Sequence, residues 1–134
     1  MKNSAENARR WLREAENTLR QARHAVEQKE YSLACFLAEQ TSQKALKAVL
    51  FWDGARLVAI HSIAELLKNN SLIHKEFSKI IDQGGRLDQY YLSSRYPDAV
   101  PEPSIPSELF GKDQADEAVV IATTIFDFSR AIIK

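Results

Sequence analysis

From Ala8 onward the apolar positions fall at Ala8, Trp11, Leu12, Ala15, Leu19, Ala22 and Val26, a spacing that puts them on one face of a helix. The pattern predicts a first helix over Ser4 to Gln28. It resets between Gln28 and Tyr31 and resumes from Tyr31 to Trp52, a run rich in Ala, Leu, Lys and Gln that Asp53 and Gly54 bring to an end. A turn this short predicts an antiparallel hairpin. Ser62 followed by Glu65 has the form of a capping box, which predicts a short helix over Ile63 to Lys68, stopped at Asn69 and Asn70, with His61 just outside its N-terminus. Phe77, Ile80 and Ile81 mark a further helical segment from Leu72 to Leu92, with Gly84 and Gly85 as its expected break or kink.

Pro97, Pro101, Pro103 and Pro106 crowd into ten positions, so residues 95–111 read as an extended surface loop without helix. Loops of that length are more often functional than connecting, although a crossover between antiparallel helices is the simpler role. Beyond it, Asp113 offers a cap for a last helix running to Lys134, Asp116 and Glu117 suit its first turn, and Ala115, Ala118, Ala122, Ile125 and Phe126 form its main stripe. Ile121 and Phe128 lie off that stripe. A helix apolar on more than one side is central or covers a partner, which predicts a homodimer interface on this helix. No period-two alternation is present, so the fold class is all-α: an up-and-down antiparallel bundle of four to five helices in a single domain over residues 1–134.

Composition narrows this picture without changing it. Apolar residues make up 45% of the chain and charged residues 27%, ordinary values for a globular domain. The 18 basic and 18 acidic residues cancel, so the chain as a whole has no electrostatic pull toward nucleic acid or membrane, and any anion site must be local. Residues 1–60 carry +3 and residues 61–134 carry −3, a slight basic bias of the N-terminal half. The single cysteine, Cys35, reads as a buried small hydrophobe in a reducing compartment. No run approaches the ~20 apolar residues of a membrane span, and a cytoplasmic protein is expected. Neither His24 nor His74 has a second ligand at metal spacing, and neither a metal site nor a cofactor is predicted.

The candidate chemistry centres on Gln40, Lys44 and Lys47, which share one face of the second helix. Lysines on a helix are most often a solvated surface. Against that, Lys44 and Lys47 offer point charges and His61 sits beside a helix N-terminus whose N–H groups attract phosphate. Arg95 offers a planar fork for bidentate contact. Tyr91 or Tyr96 could stack on a base. Each also has a structural role open to it: Arg95 and Asp98 could pin the loop by a local ion pair, His61 could cap a turn, and Gln40 could satisfy buried backbone.

The ordered set of a Trp-containing first helix, Tyr31-x4-Phe-x3-Gln40-x3-Lys44-x2-Lys47, His61 before a Leu-rich short helix, Tyr91-x3-Arg95-Tyr96-Pro97-Asp98 and a final amphipathic helix resembles the HEPN (higher eukaryotes and prokaryotes nucleotide-binding) family over nearly the whole chain. The resemblance implies a helical bundle, usually dimeric, that is often encoded beside a minimal nucleotidyltransferase in two-component systems of the toxin–antitoxin type. It implies nucleotide binding, which assigns Gln40, Lys44, Lys47, His61, Tyr91, Arg95, Tyr96 and Asp98 to a nucleotide or anion site. Some branches are metal-independent RNases with an Arg-x4-6-His motif near the start of the last helix. Here that helix holds Arg130 and no histidine, so a non-catalytic module is expected. Arg56 and His61 match the spacing elsewhere in the chain and form the alternative, a divergent ribonuclease toxin with Arg56 as charge stabiliser and His61 as acid/base. A purely structural dimeric protein is the third reading.

Overall fold

In the computed structural model, which describes residues 3–134, the chain forms α1 (Ser4–Glu27), α2 (Tyr31–Trp52), α3 (Ile63–Ser71), α4 (Ile81–Gly85), α5 (Tyr90–Ser93), α6 (Pro106–Leu109) and α7 (Lys112–Ile132), with 3-10 turns at Lys75–Ile80, Arg86–Gln89 and Pro97–Ala99. Asn3 starts α1 by accepting from the Glu6 amide at 3.2 Å. The α1–α2 hairpin is closed by Lys29, which takes a left-handed φ of 61°. This lets the Glu30 amide reach the Ala25 carbonyl at 2.9 Å. Gly54 ends α2 in the same way, with φ 110° and the Ala55 amide on the Leu50 carbonyl.

Three long helices form the body. The hairpin sets α2 antiparallel to α1: the Ser4 hydroxyl donates to the Phe51 carbonyl and the Trp11 and Phe51 rings lie 5.5 Å apart. Arg9 reaches the Lys134 carbonyl and Arg23 reaches Thr123, each at 3.2 Å, so α7 also runs antiparallel to α1 and in the same sense as α2. Two neighbours of one sense require a crossover, and residues 53–111 provide it. Ala45, Leu46, Lys47, Ala48 and Val49 are all buried in succession, which a helix permits only when it is packed on every side.

The crossover departs from the expected pattern at several points. α3 runs on to Ser71, because Asn70 turns inward and donates to the Leu46 and Leu66 carbonyls at 3.2 and 3.0 Å. No continuous helix covers Leu72 to Leu92, and the break falls at Ile80 (φ −122°, ψ 15°) rather than at the glycines, which stay within α4. Gly84 serves close packing: a Cβ there would meet Leu67 Cδ1 at 2.2 Å and Ile63 Cγ2 at 3.2 Å. The proline segment is not wholly extended, since Pro97 opens a 3-10 turn and buried Pro106 opens α6, where a missing N–H costs nothing. Gly111, not Asp113, caps α7, its amide donating to Gln114 at 3.0 Å.

Ile121 and Phe128, the residues that pointed to a dimer face, both make contacts within the chain, Phe128 only half-buried. Ile121 is buried and Phe128 packs edge-on against Phe77 at 5.9 Å. Val120 is left exposed on α7. Cys35 is fully buried, and burial pushes its thiol up to about 12. No helix among the described residues is long and apolar enough to cross a membrane.

The two adjacent glycines should respond in opposite directions. Gly84→Ala overpacks the α3–α4 contact and is expected to lower stability by about 1–3 kcal/mol. Gly85→Ala places its Cβ at an ordinary 3.5 Å from Ala64 and should raise stability by about 0.5–1 kcal/mol through helix propensity. Urea denaturation of both variants checks the pair.

Candidate functional site

Because α2 is surrounded, its polar residues answer to one another. Glu39 lies on the same stripe as Cys35, Ser42, Leu46 and Val49 and is 1% exposed. Its carboxylate accepts from Gln40 Nε2 at 2.8 Å and Gln43 Nε2 at 2.5 Å. Burial outweighs those two donors and raises its pKa above the ordinary 4.5. Two turns further on, Lys47 is 7% exposed. Its pKa falls below the ordinary 10.5, driven by burial, with the charge of Glu39 opposing the fall.

Lys47 Nζ lies 3.1 Å from His61 Nδ1 and 5.9 Å from the centre of the Trp11 ring. A charged lysine can only donate, so Nδ1 accepts and the ring proton sits on Nε2. Nε2 has no partner among the described residues and remains a donor at the surface. Gln43 Oε1 stands 3.4 Å from the same Nδ1.

His61 is held by the start of α3. The Ser62 hydroxyl accepts from the Glu65 amide at 3.3 Å, the Ser62 half of the expected box. The Asp88 carboxylate covers the same N-terminus, accepting from Ser62 Oγ at 3.0 Å, Ile63 N at 2.6 Å and Ala64 N at 3.2 Å. The amides expected to attract a phosphate beside His61 are therefore occupied by a carboxylate of the chain itself.

Gln40, Lys44, Lys47, His61 and Tyr91 line one pocket of about 250 Å³, together with Trp11 and Gln43. Lys44 Nζ donates to Thr18 Oγ1 at 2.9 Å and stands 3.9 Å from Glu14. Arg95, Tyr96 and Asp98 are outside the wall. The Arg95 guanidinium lies against Phe36, Tyr91 and Tyr96 at 4.3, 4.9 and 4.8 Å and donates twice to the Tyr91 carbonyl. No ion pair links it to exposed Asp98 among the described residues, because the aromatic faces and that carbonyl take up its fork. Arg95 thus flanks the pocket through Tyr91. Arg56 is exposed in the α2–α3 connection and is not part of the pocket wall around His61.

Glu39, Gln43, Trp11 and Asp88 are parts of the site that sequence reasoning did not single out. Glu39 carried a readable signal, a carboxylate on an apolar stripe. Asp88, 26 residues from Ser62, carried none. His74 pairs with Asp53 at 2.9 Å and fastens the end of α2 to the crossover, while His24 stands 3.9 Å from Glu27 on the surface.

Glu39 makes stability depend on pH with a definite sign. Its folded pKa is raised, so above pH 4.5 the unfolded chain ionises first and the native state is progressively disfavoured until the folded carboxyl also ionises. Glu39→Gln removes that titration. Chemical denaturation from pH 4.5 to neutrality should show the stability difference moving in favour of the variant as pH rises. A pH-independent difference would contradict the assignment.

Comparison with known proteins finds relatives for the chain as a whole. Residues 8–132 match the model of the HEPN domain. TT1696 from Thermus thermophilus superposes with a TM-score of 0.86 at 31% identity, over 93% of this chain and 97% of that one. ST0689, an archaeal HEPN homologue, superposes with a TM-score of 0.78 at 34% identity over 100% of both chains. Among proteins of curated function, none matches.

Proposed function

The chain belongs to the HEPN domain family, and from that premise we propose that it is a non-catalytic binding module whose pocket between α1, α2, α5 and the α2–α3 connection receives the phosphate of a nucleotide. The observation that carries this reading is the Lys47–His61 pair, buried ammonium on ring nitrogen at 3.1 Å, which shares one concave site with Lys44. A weakly hydrated ammonium, a second lysine and a ring donor suit a dianionic phosphate, and Trp11 and Tyr91 supply aromatic surface for a base. Burial disfavours the Lys47 charge when the site is empty, and an arriving anion restores it. As the resemblance suggests, the module works with a minimal nucleotidyltransferase in a toxin–antitoxin type system. A homodimer accords with the same family pattern.

The absence of histidine from the last helix and the position of Arg56 outside the His61 pocket favour binding over RNA cleavage. Calorimetric titration with AMP and ATP should give saturable binding that Lys47→Gln weakens at least tenfold, a loss of about 1.4 kcal/mol, while circular dichroism shows the variant folded. On the alkaline side, binding should decline at a lower pH than an exposed lysine would give, since the Lys47 pKa is depressed. Wild-type protein that binds neither nucleotide overturns the reading, and RNA cleavage lost in His61→Ala would replace it with the ribonuclease.

A further inference from the structure

A buried lysine is ordinarily matched to a carboxylate, and Lys47 is not. Of the lysines among the described residues it alone is buried, and no carboxylate of those residues lies within ion-pair distance of it. The charge of Glu39 reaches it, but that carboxylate accepts from Gln40 and Gln43. The neighbours of Nζ are the Nδ1 lone pair of His61 at 3.1 Å and the Trp11 ring at 5.9 Å, a base and an apolar face. Other lysines are held differently. Lys112 is fixed to Asp116 at 2.6 Å, which raises its pKa, and Lys44 donates to Thr18 and stands 3.9 Å from Glu14.

This environment favours the uncharged amine, and burial lowers the Lys47 pKa accordingly. An uncharged lysine that a small molecule can reach is a nucleophile. Access runs through the pocket of about 250 Å³ that Lys47 lines with Lys44, His61, Trp11 and Tyr91. That volume is below the ~300–1,000 Å³ of sites for larger small molecules, so it suits a compact electrophile. Lys44, the second cation of the wall, favours one that carries an anionic group. Cation, buried amine and ring base thus meet in one small space.

We infer that Lys47 is a site of covalent modification, acylated by a small acyl phosphate whose phosphate docks beside Lys44 and whose carbonyl carbon meets Nζ. The inference rests on the phosphate pocket proposed above and adds a means of regulating it. The free amine attacks the carbonyl carbon, and the new C–N bond forms as the carbonyl takes up negative charge. The tetrahedral intermediate then breaks its C–O bond to phosphorus, and the phosphate leaves with the bonding pair. The proton lost from nitrogen passes to His61 Nδ1 and, from the imidazolium through water, to the phosphate, which departs as hydrogen phosphate. No electron is gained or lost overall. Lys47 ends as a neutral amide, so the pocket loses its buried charge and the contact of that charge with Trp11.

The test is time-resolved peptide-mapping mass spectrometry of the native protein with acetyl phosphate, and with N-acetylimidazole as a donor that lacks phosphate. Acetyl phosphate should modify Lys47 roughly tenfold faster than any exposed lysine, and inorganic phosphate should slow Lys47 while leaving the exposed lysines unchanged. His61→Gln should slow Lys47 by roughly tenfold or more, again without effect on the others. The rate at Lys47 should also level off at a lower pH than at the exposed lysines, because its pKa is depressed. His61 and Lys44 on the same wall and the charge of Glu39 are the titratable groups that act on it. Acetylated protein should bind AMP roughly tenfold more weakly than unmodified protein in calorimetry. If exposed lysines react with acetyl phosphate as fast as Lys47 while AMP still binds, the modification site falls and the phosphate pocket stands. If Lys47 reacts fast with N-acetylimidazole but shows no preference for acetyl phosphate and no competition by inorganic phosphate, the acyl phosphate falls together with the phosphate pocket. Selective acylation at an unchanged rate in His61→Gln overturns the part given to His61.

Discussion

The constraint on which the rest depends is the enclosure of α2. With α1, α7 and the crossover around it, this helix is enclosed along its middle except where Gln40 and Lys44 reach the pocket, and five successive residues from Ala45 to Val49 are buried. A helix in that position would ordinarily be apolar throughout. Instead it carries Glu39, Gln43 and Lys47 inside, each 7% exposed or less. Burying them is tolerable only with partners. Gln40 and Gln43 donate to Glu39, and His61 takes the ammonium of Lys47. The polar ladder is thus a condition of folding as much as a feature of the site.

That ladder determines where the neighbouring elements must lie. His61 can meet Lys47 only if α3 begins beside the second half of α2, and the Asp88 carboxylate fastens that beginning through three hydrogen bonds. Gly84 lets α4 approach α3 so closely that a methyl group would collide with Leu67. This approach and the 3-10 turn that follows α4 bring Asp88 within reach. The short, irregular crossover elements hold the mouth of the pocket in register with the long helices.

The same geometry separates two groups of cations. Arg95 and Lys44 are already engaged, one by aromatic faces and a carbonyl and the other by Thr18 and Glu14. Arg10 and Arg13 have no side-chain partner among the described residues, and they line an adjoining trough that shares Trp11 and Lys44 with the pocket.

The amino-acid sequence by itself determined the helical class, the bounds of α1 and α2, the cap at Ser62 and the co-location of Gln40, Lys44 and Lys47. Those features follow from local periodicity, propensity and capping, which act within a few residues. Tertiary structure alone decided that α7 runs with α2 and that Ile121 and Phe128 face inward. It also placed Asp88 on the α3 N-terminus and gave Arg95 to its aromatic neighbours instead of Asp98. Each of these matches groups far apart in the chain, or chooses between partners of similar chemistry, and the choice depends on distances that only the packed helices establish. Glu39 stands between the two cases: its place on an apolar stripe was legible, but its burial with two amide donors became visible only once α2 was enclosed.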